Sequence, residues 1–256
     1  MNPFLREKIE VMVGPIQNIT VLAEQGWTSE VCQIETEAGI YLMKSSYKEK
    51  YREWLKQEAN VLEKLHNQNQ IPVPAYYGFI EEQDGAHLIM SFEQGVTLRV
   101  ALKQAETRAE QKALIKSFGH FLQQLHETKI IQTLDRHENW LEEQLAKAEG
   151  YVKRGQTDGS VELLEKLKNS KPFPVKQTII HGDCTIDNVL VKDGEVKLFI
   201  DVAGMTVGDP RYDESLAIRK FVNDKEDMDA FYEGYTRYRV SKEELQYFDE
   251  GLYEFF

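Results

Sequence analysis

Between Ile19 and Lys44 short apolar runs alternate with polar residues, and turn formers at Gly26 and Ala38-Gly39 separate them. This pattern predicts a small antiparallel sheet with strands at Val31–Ile34 and Tyr41–Met43. From Tyr51 to Leu65 the period changes, with Leu55, Ala59, Leu62 and Leu65 at helical spacing, which predicts one helix after the first strands. Strands follow at Tyr76–Ile80 and His87–Phe92, joined through Asp84-Gly85, a pair that favours a hairpin turn. Beyond Gly95 the character is helical to about Leu167, most clearly over Leu114–His126, where Ile115, Phe118, Phe121, Leu122 and Leu125 form one broad face. A short β-region at Ile179–Ile200 interrupts the helices, which resume from Arg211 to Phe256. The predicted fold class is α+β with two lobes: residues 1–94 form a small antiparallel sheet with one helix, and residues 95–256 form a larger, mainly helical lobe.

At 256 residues and 41% hydrophobic content the chain can bury a substantial core. It has no run of about 18 apolar residues, and its first residues lack a secretory pattern, so a soluble, cytoplasmic protein away from membranes is expected. The net charge of −12 argues against nucleic acid as a partner and suits a cationic small molecule, although acidity also serves solubility alone. Cys32 and Cys184 match no zinc spacing and are expected to be reduced thiols.

The densest chemistry is His181-Gly182-Asp183-Cys184-Thr185-Ile186-Asp187-Asn188, followed by Phe199-Ile200-Asp201. Val189–Val191 and Val196–Ile200 should pair as a hairpin turning at Asp193-Gly194. Asn188 and Asp201 then sit at its open end, with Asp183 on the loop just before. Two carboxylates and an amide in one small space call for a cation, and hard oxygen ligands suit magnesium carrying phosphates. Singly, each could be an ordinary turn or cap residue; together, at this spacing, they point to phosphoryl transfer.

The first lobe offers matching pieces. Lys44 shares a strand face with Leu42, and Glu58 lies within the stripe of Leu55, Leu62 and Leu65, where a carboxylate wants a cation. Lys44 is the obvious partner, able then to meet phosphate oxygens, unless the two are surface residues that never meet. Gln25–Glu30 is a candidate phosphate-covering loop through Gly26, Thr28 and Ser29, or equally a plain hairpin loop with Trp27 packed down.

Taken together these residues resemble the aminoglycoside phosphotransferase family, relatives of choline kinases and of eukaryotic-type protein kinases. The marks are Gly26 to Ser29, Lys44, Glu58, the hinge Ser91-Phe92-Glu93, Leu125-His126, His181–Asn188, Asp201 and Gly208–Asp213. The resemblance implies ATP between the lobes with adenine against the hinge, near Met90, Ser91 and Phe92. It also implies Lys44, held by Glu58, on the α- and β-phosphates, magnesium on Asn188 and Asp201, and Asp183 handling the proton of the attacking hydroxyl. His181 and Asp213 would brace the catalytic loop, and His126 would be a core or capping histidine.

The tail Tyr253–Phe256 is similar to that of kanamycin-modifying 3′-phosphotransferases, but Tyr253 stands where those enzymes often carry Asp, and Val202–Met205 lacks their glycine and arginine features. Glu254 and the carboxylate of Phe256, with Asp187, are the candidate acceptor-binding groups. The implied protein is a monomer or weak dimer that phosphorylates a small, amine-bearing acceptor. A housekeeping sugar, amino-alcohol or choline-type kinase and a nucleotide-binding pseudokinase are the competing readings. A protein kinase is disfavoured by the short text between Asp201 and Asp213.

Overall fold

Asn2 opens the first helix: its side chain accepts from the Leu5 N–H at 2.7 Å, and Pro3 fills the first helical position, where no N–H is needed. This helix, α1 (Pro3–Val13), precedes the strands β1 (Ile16–Val21), β2 (Glu30–Thr36) and β3 (Gly39–Ser46), helix α2 (Glu49–Leu65), and strands β4 (Tyr76–Glu81) and β5 (Ala86–Ser91). The computed structural model describes residues 2–23, 25–66, 68, 70–134 and 139–256. The strands form one antiparallel sheet in the order β1-β2-β3-β5-β4. They belong to the first of two compact units, which comprises the chain up to Gly95 together with Leu198–Gly204.

A single helix was expected here, yet a sheet has two faces and both must be covered. Leu5, Ile9 and Val13 of α1 pack with Ile34, Tyr41, Met43, Ile80 and Ile89 on one face. Lys44, which alternates with Met43 along β3, points to the other face, where α2 lies. The approach of α1 is close: a Cβ on Gly78 would come within 2.4 Å of the Met12 sulfur. Helix α2 buries Leu55, Glu58, Ala59, Val61, Leu62 and Leu65 as one stripe.

The second unit comprises Val96–Lys197 and Met205–Phe256. It carries β6 (Val96–Thr97), α3 (Leu98–Gln104), α4 (Arg108–Glu127), α5 (Trp140–Arg154), α6 (Val161–Asn169), β7 (Thr178–Ile180), β8 (Val189–Lys192) and the start of β9 (Glu195–Phe199). After the excursion into the first unit come β10 (Thr206–Gly208), α7 (Pro210–Ile218), α8 (Lys225–Gly234) and α9 (Lys242–Phe248). Gly95 and Leu198–Gly204 thus fall with the first unit, whereas the sequence boundary put both in the second lobe.

Glycines set the tightest helix contact of this unit. A Cβ on Gly119 of α4 would meet the Phe231 carbonyl oxygen at 2.2 Å, and one on Gly234 of α8 would meet the Lys116 carbonyl at 2.0 Å. Two sheets adjoin the His181–Asn188 loop: β6-β8-β9, and the pair β7-β10. The β8–β9 turn uses Asp193 and Gly194 at φ 53° and 77°, the conformation an Asp-Gly pair adopts in a two-residue hairpin. The apolar floor of the unit gathers Trp140, Leu145, Leu164, Tyr212, Phe248 and Phe255. Among the described residues no helix is long and apolar enough to cross a membrane. Cys32 and Cys184 are unpaired.

Candidate active site

In the first unit Lys44 and Glu58 meet. Lys44 Nζ donates to Glu58 Oε1 at 2.9 Å and to Oε2 at 2.8 Å, with side-chain exposures of only 13% and 6%. A carboxylate in an apolar helix stripe is stable there because a bidentate ammonium answers its charge. Lys44 also pairs with Asp201. Asp201 follows β9 at φ 57°, a left-handed conformation that aspartate is one of few non-glycine residues to visit, and its side chain is 47% exposed. One ammonium therefore bridges two carboxylates, with all three of its donors engaged by them.

The β1–β2 loop is built around side-chain braces. The Gln25 amide donates to the Leu22 carbonyl at 2.6 Å and the Val31 carbonyl at 3.0 Å, and its oxygen accepts from the Val31 N–H at 2.7 Å. Ser29 and Ser46 hydroxyls pair at 2.8 Å, and Ser46 donates to the Thr28 carbonyl at 3.0 Å. Gly26 is exposed at the turn. Trp27 does not pack down: its side chain is fully exposed, on a loop whose backbone Gln25 and Ser46 hold. At the hinge, Met90 is buried, while Ser91 and Phe92 are partly exposed. The Ser91 N–H donates to the Ala75 carbonyl at 2.9 Å, and its hydroxyl accepts from the Ala75 N–H at 2.8 Å and bonds Glu93.

In the second unit Asp183 and Asn188 meet. Asn188 Nδ2 donates to the Asp183 carbonyl and to Asp183 Oδ2, both at 2.8 Å, which leaves the Asn188 side-chain oxygen as a hard acceptor. The other Asp183 oxygen, Oδ1, accepts from the Tyr253 hydroxyl at 3.1 Å. Burial pushes the Asp183 carboxyl up from its ordinary value, opposed by the His181 ring and by the bonds from Tyr253 and Asn188. Beneath it, the fully buried Asp213 on α7 accepts from the N–H groups of His181 at 2.6 Å and Gly182 at 2.8 Å, so the loop backbone is clamped by one carboxylate. His181 is buried, and its Nδ1 accepts from the Asp183 N–H at 3.2 Å. His126 is a core residue, bonded through Nδ1 to the Tyr235 hydroxyl at 2.9 Å and through Nε2 to Asp213 at 3.4 Å.

The acceptor candidates are less unified. Asp187 is engaged by the Arg99 guanidinium from α3, a partner the sequence reading overlooked. The Glu254 side chain is exposed and its carbonyl accepts from Thr157 Oγ1 at 3.0 Å. The Phe256 ring lies 5.9 Å from Tyr151, and Phe255 is fully buried, so the tail is first a packing element. Tyr253, noticed in the sequence only as a departure, reaches the His181–Asn188 loop through Asp183. Among the described residues no group of three or more His, Cys, Asp or Glu side chains could hold a metal ion. Magnesium rarely uses such a cage, relying on one or two protein oxygens plus phosphates; the Asn188 side-chain oxygen in the second unit and the half-exposed Asp201 carboxylate in the first are each a donor of that kind.

Comparison with known proteins adds three findings. The family described as the phosphotransferase enzyme family matches residues 19–248. An aminoglycoside 3′-phosphotransferase from Streptomyces fradiae is 28% identical over 219 residues, covering 78% of each chain. Among solved structures, aminoglycoside-3′-phosphotransferase of type VIII superposes with TM-score 0.74 at 23% identity, over 92% of this chain and 93% of that one. Spectinomycin phosphotransferase, solved with ADP and spectinomycin, gives TM-score 0.61 at 18% identity over 96% and 82%. At these identities the structural likeness establishes the shared fold.

Proposed function

The chain belongs to the phosphotransferase enzyme family, and from that premise we propose that it moves the γ-phosphate of ATP, with magnesium, to a hydroxyl of a small, amine-bearing molecule. An aminoglycoside is the leading acceptor, supported by the curated relative's name. The observation that carries the reading is Asp183, fixed by Asn188 and set on a loop whose backbone Asp213 clamps. An aspartate so held can orient one hydroxyl and take its proton.

In the reaction the acceptor oxygen forms a bond to the γ-phosphorus, the bond to the β,γ-bridging oxygen breaks, and ADP leaves with that electron pair. The acceptor proton passes to Asp183. Lys44, oriented by Glu58, offers its ammonium to the phosphate oxygens, and Gly26, Thr28 and Ser29 line the loop suited to cover them. Met90, Ser91 and Phe92 form the edge for the base. Asn188 and Asp201 would hold magnesium, which when bound neutralises charge on the phosphates. The enzyme is read as cytoplasmic.

One observation favours the second reading, a sugar, amino-alcohol or choline-type kinase: Arg99 engages Asp187, which leaves fewer carboxylates for a polycation. ADP release with kanamycin A, neomycin B, choline, ethanolamine and glucose decides. Turnover with the aminoglycosides supports the first reading, turnover confined to the small alcohols or the sugar supports the second, and no acceptor-stimulated release from any of them overturns both.

A further inference from the structure

Tyr253 sits in the short helical turn Leu252–Phe255, and its neighbours Leu252 and Phe255 are both fully buried in the second unit's core. The residue is therefore anchored on both sides, although its own side chain is only partly buried. Its ring lies under the Arg219 guanidinium, 4.7 Å from the centroid, and Arg219 is tied in turn to Asp249 at 3.0 Å. This stacking sets the ring plane. The hydroxyl, free in principle to point at water, donates instead to Asp183 Oδ1.

The consequence lies in the geometry of the aspartate. A carboxylate on a short side chain has two soft torsions, and one hydrogen bond leaves it free to swing about that bond. Asp183 has two donors on its two oxygens, from different parts of the chain: Asn188 on Oδ2 and Tyr253 on Oδ1. Both torsions are then fixed. Oδ1 retains a lone pair beside the phenol, whereas Oδ2 faces the amide that the reading above gives to the metal.

We infer that Tyr253 is a positioning residue for phosphoryl transfer: its hydroxyl holds the Asp183 carboxylate so that Oδ1 meets the acceptor hydroxyl. This rests on the role assigned to Asp183 above. The acceptor thus approaches an oxygen flanked by a phenol and a stacked guanidinium, and any amine it carries must bind beyond that pair.

Tyr253→Phe keeps the ring stacked under Arg219 and removes the hydroxyl, which bonds both Asp183 and Arg219; substituting Asp183 as well separates the two. With kanamycin A as acceptor, kcat should fall about tenfold while the KM for ATP and for kanamycin A stay within about twofold. The same substitution in the Asp183→Asn background should lower the small residual rate little further. Unchanged kcat, or a loss in KM alone, overturns the inference. A parallel readout needs no acceptor. Tyr253→Phe should lower the melting temperature by about 3 °C with Asp183 present and by under about 1 °C in an Asp183→Ala background, where no side-chain acceptor remains; equal shifts in the two backgrounds overturn the inference. If the wild-type protein turns over no acceptor in the panel, the functional reading fails by itself, and this thermal cycle still decides whether the two side chains are coupled.

Discussion

Glu214 on α7 is completely buried, one residue beyond the Asp213 clamp. Its Oε1 accepts from the Tyr232 hydroxyl at 2.8 Å and from the Val240 N–H at 2.7 Å, while Oε2 is buried with no hydrogen-bond partner among the described residues. Burial pushes the carboxyl up to about 7 from an ordinary 4.5, against the pull of those two bonds and of Arg211. The folded protein therefore holds Glu214 protonated where the unfolded chain has already ionised it. The stability this confers is complete below about pH 4.5 and is lost as pH rises through about 7. A shift of about 2.5 units at about 1.36 kcal/mol per unit gives roughly 3 kcal/mol between those limits. Glu214→Gln imitates the protonated acid: its oxygen keeps both donors and it cannot ionise. Thermal unfolding followed by circular dichroism at pH 5, 6, 7 and 8 should show the variant gaining on the wild type across the series, by up to about 3 kcal/mol at pH 8. Parallel curves would refute the assignment of a neutral Glu214, whatever the variant's absolute stability.

Two other substitutions probe the lysine clamp and the helix packing. Glu58→Gln removes the charge that orients Lys44, and calorimetry should show MgATP binding weakened about tenfold; unchanged affinity would leave the buried pair a purely structural one. Gly119→Ala places a Cβ 2.2 Å from the Phe231 carbonyl oxygen, and since backbone cannot give way cheaply, unfolding should be easier by about 3 kcal/mol or more. A melting temperature within about 2 °C of wild type would show that α4 and α8 can move apart without penalty.

The parts of the fold that are periodic over many residues were readable in the sequence. The stripe Leu55–Leu65 and the face Ile115–Leu125 became α2 and α4, and the Asp193-Gly194 turn took the positive φ values its residues favour. Helix α1 was missed although its signals are all local: Asn2, Pro3, the spacing of Leu5, Ile9 and Val13, and Gly14 after the last turn. The apolar back of the sheet demands a cover, and this stretch supplies it. Lys44 with Glu58 and Asp183 with Asn188 were legible because a charged residue inside an apolar stripe, or an HGDxxxxN spacing, leaves few partners to choose from. Arg99 on Asp187 and Tyr253 on Asp183 were not, since 88 and 70 residues separate these pairs and no pattern marks a half-buried arginine or a tail tyrosine for a particular carboxylate. The alternative of a plain hairpin loop with Trp27 packed down fails on the exposure of that side chain.

The most direct test uses ATP labelled in its γ-phosphate with wild-type protein and Asp183→Asn side by side. The wild type should move the label onto a hydroxyl of an acceptor from the panel. Asp183→Asn should bind MgATP with unchanged affinity yet transfer at least about 10³-fold more slowly, because shape is kept and the proton-handling group is gone. Label that never reaches an acceptor, or a variant that transfers as fast as the wild type, would contradict phosphoryl transfer through Asp183.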